Sequence, residues 1–215
     1  MELNLLHLLS LYKQNKYFFI SYFVLLMFGI FILLAYSKAD GFLILNPYHP
    51  RLLDYFFIGY TYFGDGLFIV TLALILFFCK KRFLSLMIVS SYAFSGVIVL
   101  ILKYFIVEAR PAFYLKNINY TYFIDGVTLH NFHSFPSGHT TSAFALAAIL
   151  GFAAKNKNYA IIFLLMAALV GYSRIYLGQH FMDDVVAGSC IGLVSAIICE
   201  LFFAKYFMSL SERKR

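Results

Sequence analysis

The stretch FLSLMIVSSYAFSGVIVLILKYFIVEARP, residues 83–111, decides the fold. From Phe83 to Val107 it carries one charge, Lys103, over a length that exceeds the roughly 20 apolar residues a helix needs to cross a bilayer. The run then breaks at Glu108-Ala109-Arg110-Pro111. A residue before proline is pushed out of the helical region, so the spacing predicts a helix that ends near Ala109 and lets Arg110 fold back toward Lys103.

Working outward, five more apolar runs are found at Tyr17–Tyr36, Gly64–Cys79, Ser137–Ala154, Tyr159–Tyr176 and Val185–Phe207. The expected fold is an all-α, polytopic membrane protein, six transmembrane helices in a single membrane-embedded domain, residues 1–215. Composition agrees: 62% of residues are hydrophobic and 20% aromatic, whereas a globular domain is roughly 45–50% apolar. The second run is short, and the aromatic stretch Leu53–Phe63 before it reads as an interfacial helix or an extension of that span. The first run follows Lys13 and Lys16 but is too long for a signal-peptide core, so it is read as a span, with a residual cleavage option at Ala35-Tyr36-Ser37. Cys79, Cys190 and Cys199 have neither disulfide nor metal-ligand spacing and read as small buried hydrophobes.

The net charge of +7 forms no stripe of the kind that binds nucleic acid; the basic residues stand between the runs, as topology signals do. Lys13, Lys16, Lys80, Lys81, Arg82, Lys155, Lys157, Lys205, Arg213, Lys214 and Arg215 fall on one side of the six-span layout. Lys38, Arg51, Lys103, Arg110, Lys116 and Arg174 fall on the other. The richer side should be cytoplasmic, with both termini.

Three polar clusters then gather at the opposite, outer face: Lys103 with Arg110-Pro111, Pro136-Ser137-Gly138-His139, and Ser173-Arg174 with His180 and Asp184. Charged groups in such surroundings are costly and call for a functional reason. Taken singly, each has a plainer reading: snorkelling cations at a helix end, an ordinary helix start, an incidental ion pair. Together they suit phosphate chemistry. Pro136 favours a first helical turn, whose free N–H groups attract phosphate; Gly138 permits close approach, Ser137 offers a hydroxyl, and His139 is placed to donate a proton. His180 and Asp184, four apart, are neighbours on one helical face, so the carboxylate can hold Nδ1–H and leave Nε2 as nucleophile. Arg174 can take phosphate oxygens bidentately. Asp183, one position off, should face elsewhere and cap the sixth helix, and Asp65 between two glycines reads as a helix cap. His130 and His133 have no carboxylate or cysteine spaced to complete a metal shell, and read as interfacial loop residues. The connection Ala112–Phe135 is either a lid or a passive link.

At these residues the chain resembles the type 2 phosphatidic acid phosphatase superfamily. Lys103 with Arg110-Pro111, Pro136 to His139, and Ser173-Arg174 with His180 and Asp184 match its three motifs in order and without departure. The resemblance is strong from Phe83 to Phe207. It implies that His180 forms a phosphohistidine with Asp184 orienting it, and that His139 protonates the leaving group and then activates water. It further implies that Lys103, Arg110, Ser137, Gly138 and Arg174 hold the phosphoryl oxygens, with Pro111, Pro136 and Ser173 supporting, and that neither metal nor cofactor is used.

The expected substrate is a membrane lipid carrying a phosphate or diphosphate, lipid A or undecaprenyl diphosphate first, phosphatidylglycerophosphate or phosphatidic acid as alternatives. Small size and Lys/Ile/Phe-rich usage point to a bacterial inner membrane with the site facing the periplasm, and no obligate protein partner is evident. Vanadium-dependent haloperoxidases share the motifs but are largely soluble. A non-catalytic phospholipid binder or transporter would need the cations but not the nucleophile.

Overall fold

The computed structural model describes residues 2–116, 120 and 122–212. Arg213, Lys214 and Arg215 of the charge count lie outside the described residues, as do Asn117, Ile118, Asn119 and Thr121 of the long connection. The described chain is helical: α1 (Glu2–Gln14), α2 (Lys16–Ala35), α3 (Lys38–Leu45), α4 (Arg51–Tyr60), a 3₁₀ turn (Thr61–Gly64), α5 (Gly66–Phe78), α6 (Arg82–Phe105), α7 (Pro111–Tyr114), α8 (Gly138–Ala153), α9 (Asn158–Tyr176) and α10 (Met182–Glu212).

Among the described residues four helices are long and apolar enough to cross a membrane: α2, α6, α9 and the Met182–Phe203 part of α10. In α2 an almost wholly apolar sequence is only 22% buried. Leu34 is 83% exposed there, and Leu100 of α6 is 69% exposed. Apolar area of this kind turned away from the protein is stable against lipid, not against water. The chain is an integral membrane protein.

The remaining two expected spans take other forms. Arg51–Gly64 and Gly66–Phe78 would make a fifth span only as a pair, bent by 57°; the Leu53–Phe63 stretch is thus helical and set at an angle to the short second run. The run expected as a straight span over Ser137–Ala154 is α8, with 16 residues. At about 1.5 Å per residue that is near 24 Å, short of a bilayer core of about 30 Å. Protein encloses this helix: Ala143, Ala145, Ala147, Ala148 and Ile149 are buried, and α9 and α10 pack along it. Small residues bring those backbones close; a Cβ at Gly188 of α10 would lie 2.7 Å from the Ser137 carbonyl oxygen.

At one end, Lys157 before α9 donates to Asn15 between α1 and α2, at 2.8 Å. The polar clusters gather at the other end. The cysteines are free, but Cys79 is exposed, with Cys190 intermediate and Cys199 buried. The expectation of three buried small hydrophobes therefore holds for Cys199 and fails at Cys79, which caps the C-terminus of α5 beyond the protein core.

The bend at Gly64-Asp65 matters for the site. Asp65 is extended and caps α5 by accepting Leu67 N–H at 2.8 Å, and Gly64 sits against the first turn of α8. A Cβ at Gly64 would meet the His139 carbonyl oxygen at 2.6 Å and Val170 Cγ1 at 2.7 Å. Gly64→Ala should therefore lower thermal stability in detergent by about 1–3 kcal/mol, as overpacking does. A melting midpoint equal to that of the unchanged protein would show that the bend does not press on α8.

Candidate active site

One cavity of about 430 Å³ opens at the polar end of the bundle, and Lys103, Arg110, Gly138, His139, Arg174 and His180 line it. Residues from four parts of the chain meet there, each delivered by a local device.

His180 is set by the end of α9. Gly178, with φ +65°, takes the left-handed conformation that closes a helix. The Arg174 carbonyl then accepts both Gln179 N–H (2.9 Å) and His180 N–H (3.1 Å). The imidazole is buried, its Nδ1 3.2 Å from Asp184 Oδ2. That oxygen also accepts Phe181 N–H at 2.9 Å and the Ser134 hydroxyl. Nδ1 is thereby committed to the carboxylate, and Nε2 is the nitrogen left for chemistry. Burial first, then Arg174, Arg110 and Lys103, hold the imidazole well below its ordinary range, so it is neutral at neutral pH.

The cations are held by carbonyls. α6 ends at Phe105, four residues before the end expected at Ala109. Ile106 is already extended, and Ala109 bridges Phe132 in antiparallel fashion, with Arg110 N–H bonded to Asn131 O at 2.8 Å. Pairing with residues 131–134, rather than Pro111 alone, ends this helix. Lys103 donates to the His133 carbonyl, and Arg110 NH2 donates to the same oxygen at 3.4 Å. Arg110 also reaches Phe132 O (3.1 Å) and Gln179 Oε1 (3.1 Å). Arg174, 8% exposed, donates to the Thr61 hydroxyl at 2.7 Å, while its Nε has no hydrogen-bond partner. These carbonyl and hydroxyl partners leave the positive charge uncancelled, so the cavity favours an anion.

His139 occupies the second position of α8, and its Nε2 lies 3.7 Å from Asp65 Oδ2. Asp65 is therefore a helix cap, as its glycine neighbours indicated, and also the carboxylate nearest this imidazole. His130 lines the same cavity. His133, with φ +57°, turns its carbonyl to two cations and its Nδ1 to Lys103 O at 2.9 Å. The pairs Ser134–Asp184, Thr61–Arg174 and Gln179–Arg110 carried no motif signal in the sequence.

Several expected residues stand behind the cavity wall. The Ser137 side chain is fully buried and caps α8, accepting Thr140 Oγ1 at 2.9 Å; its N–H donates to Asp184 O at 3.0 Å. The Ser173 hydroxyl donates to Val170 O at 2.6 Å. Pro111 opens α7, and Pro136, joined to Phe135 by a cis peptide bond, stands just before the Ser137 cap of α8. Asp183 faces away from the cavity, as expected, but the oxygen that takes a free N–H at the start of α10 belongs to Asp184. Asp183 Oδ2 instead binds Lys38 Nζ at 2.7 Å, and Lys38 also binds Glu108. Burial alone would push the Lys38 ammonium down; Asp183 and Glu108 outweigh it and hold its pKa above the ordinary lysine value. Oxygens of Glu108, Asp183 and Asp184 lie within 4.8 Å of one another, and Lys38 supplies the positive charge at that group.

An anion pocket lined by three imidazoles, those of His130, His139 and His180, lies at the end of a membrane helix bundle. A family model described as "PAP2 superfamily" matches residues 84–208, more than half of the chain. The lipid A 4'-phosphatase of Porphyromonas gingivalis is 31% identical over 163 residues, covering 73% of this chain and 69% of that protein. Phosphatidylglycerophosphatase B of Bacillus subtilis is 30% identical over 184 residues, covering 80% of this chain and 83% of that protein. The crystal structure of LpxE from Aquifex aeolicus superposes with a TM-score of 0.64 at 32% identity, covering 76% of this chain and 95% of that one. The chain belongs to the PAP2 superfamily.

The two neighbouring carboxylates separate in a phosphate-release assay. Asp184→Asn should cost at least about 100-fold in kcat, because the amide no longer selects the tautomer with Nε2 free. Asp183→Asn should keep more than about a tenth of the activity, since Glu108 still holds Lys38. Equal losses would place the orienting carboxylate at the wrong position.

Proposed function

We propose that the chain hydrolyses a phosphate or diphosphate on a membrane lipid through a covalent phosphohistidine, without a metal ion. The chain is a lipid phosphatase; the mechanism, the site residues and the substrate are our reading. One observation carries it: a neutral, carboxylate-oriented imidazole, His180, shares a cavity with a second imidazole and with Lys103, Arg110 and Arg174.

Lys103, Arg110 and Arg174, with the N–H groups opening α8 at Gly138, bind the phosphoryl oxygens and stabilise the charge they gain. His180 Nε2 attacks phosphorus, forming an N–P bond as the bond to the leaving oxygen breaks. His139 gives that oxygen its proton. In the second half, His139 takes a proton from water, whose oxygen attacks phosphorus and releases His180 and inorganic phosphate. Asp184 holds Nδ1–H throughout and stabilises the positive charge that the ring gains when the N–P bond forms and loses when that bond breaks. Ser137, Ser173, Pro111 and Pro136 act through the backbone they shape.

The substrate reading is a lipid A phosphate or undecaprenyl diphosphate, with phosphatidylglycerophosphate and phosphatidic acid as alternatives. The names of the relatives, an apolar bundle and a cavity at its polar end support a lipid substrate. The proposed setting is one domain in a bacterial inner membrane. In it the five long or bent spans plus the enclosed α8 make six crossings, both termini are cytoplasmic, and the cavity faces the periplasm. The uneven spread of Lys and Arg supports this orientation.

The test is phosphate release by the purified protein in detergent with chelator present, across the four lipid classes. Release from one class that falls by about 10⁴-fold in His180→Ala is expected; full activity in that variant would remove the covalent step. The pH profile gives a second check. Because His180 is held below the ordinary value of 6.5, the acid limb of kcat/KM should lie below that pH. Arg110→Met, which removes one of the charges opposing protonation, should move it upward. A limb that stays in place in Arg110→Met would mean that another group sets it.

A further inference from the structure

Beside the phosphate cavity lies a second one of about 420 Å³, lined by residues that the reaction leaves unused, among them His49, Arg51, Asp54, Tyr55, Tyr122 and Asp125. Ile58 lines both cavities. Ile124 and Asp125 face the second while the next residues, Gly126 and Val127, face the first. The wall between them is the apolar cluster of Phe57, Tyr176 and Leu177, against which Ile58, Ile124 and Val127 pack.

The second cavity is built, and its chemistry is specific. Its floor is His49, whose side chain is 7% exposed. The ring stacks at 7° on Tyr122 and packs 4.5 Å from Tyr176. Among the described residues His49 Nδ1 has no hydrogen-bond partner, and it is closed off from the cavity itself. It lies 3.6 Å from Asp54 Oδ1, too far for a hydrogen bond, so the ring acts as the packed support beneath Tyr122. Tyr176 donates to Asp54 at 2.7 Å and fixes that carboxylate. At the mouth, Tyr55 and Tyr122 are 73% and 60% exposed; the Tyr55 ring and the Tyr122 face turned away from His49 are uncovered. Arg51 and Asp125 add one charge of each sign.

An acyl or prenyl tail would require apolar walls, and a bare diphosphate would have no use for two carboxylates. Ring faces with carboxylates suit a saccharide, whose C–H face stacks on aromatic rings while its hydroxyls donate to carboxylates. We infer that this second cavity binds the sugar headgroup of the lipid whose phosphate enters the first, so that the substrate is a phosphorylated glycolipid. Resting on the phosphatase reading, this narrows its substrate class to the lipid A type. Arg51 is placed to take an anionic substituent of the same headgroup.

The test compares lipid A with phosphatidic acid, which offers the same reacting group without a sugar. Tyr55→Ala and Asp125→Asn are exposed changes outside the helix core. Each should lower the ratio of kcat/KM for lipid A to that for phosphatidic acid by about tenfold, Asp125→Asn through one lost charge-assisted hydrogen bond and Tyr55→Ala through one lost stacking face. An unchanged ratio in both variants would overturn the inference, whether or not overall activity falls. Absence of turnover by the unchanged protein on either lipid would count against the phosphatase reading instead. Retention of labelled lipid A would then decide the inference: retention weakened by Asp125→Asn upholds the sugar site, and equal retention overturns it.

Discussion

The Asp184 carboxylate is buried, and its Oδ2 takes a ring nitrogen, a hydroxyl and a backbone N–H at once. A buried charge is tolerated when it is paired and hydrogen-bonded, and is otherwise costly. Here each of those bonds also ties down a different piece of chain. His180 belongs to the α9–α10 turn, Ser134 to the connection before α8, and Phe181 to the start of α10. The carbonyl of the same residue accepts Ser137 N–H and so joins α10 to the cap of α8. Orientation of the His180 imidazole and closure of the bundle's polar end are thus one interaction set.

The cations follow a complementary rule. Lys103 and Arg110 converge on a single carbonyl, that of His133, and Arg174 on a threonine hydroxyl. Neutral oxygens satisfy donors without cancelling charge, so the cavity keeps its attraction for an anion while few donors are left bare. Carboxylates in those places would have cancelled the positive charge and with it the attraction for an anion. Lys38 works from outside: by gripping Glu108 and Asp183, it fastens the segment carrying Arg110 to the start of α10, away from the reacting atoms.

Lipid sets the rest. Helices that turn apolar side chains outward need a hydrocarbon surround, and within it α8 can be short because protein encloses it. The bent α4–α5 pair is the exception to straight crossing. Its glycine lets Asp65 approach His139, and its first segment carries Asp54, Tyr55 and Ile58 to the second cavity.

Much of this was legible in the chain itself. A 3.6-residue period places His180 and Asp184 on one face whatever surrounds them, and a run as apolar as Phe83–Val107 has few stable places outside a membrane. Local rules of that kind act between near neighbours, so motifs and spans could be read directly from residue order. They failed where partners are remote. The end of α6 moved to Phe105 because residues 131–134 pair with it; the hydrogen bond from Lys103 to His133 spans 30 positions. Asp65 looked like a cap and is one, but its nearness to His139 depends on a bend between two helices. Cys79 read as buried because it follows an apolar run, yet that run faces lipid. The second cavity assembles from residues 49–58 and 122–125, which share no motif. Residue order determined which side chains share a helix face and which segments require lipid. The tertiary structure decided which distant carbonyls and carboxylates meet them, because those contacts are selected by packing among helices rather than by the period of any one.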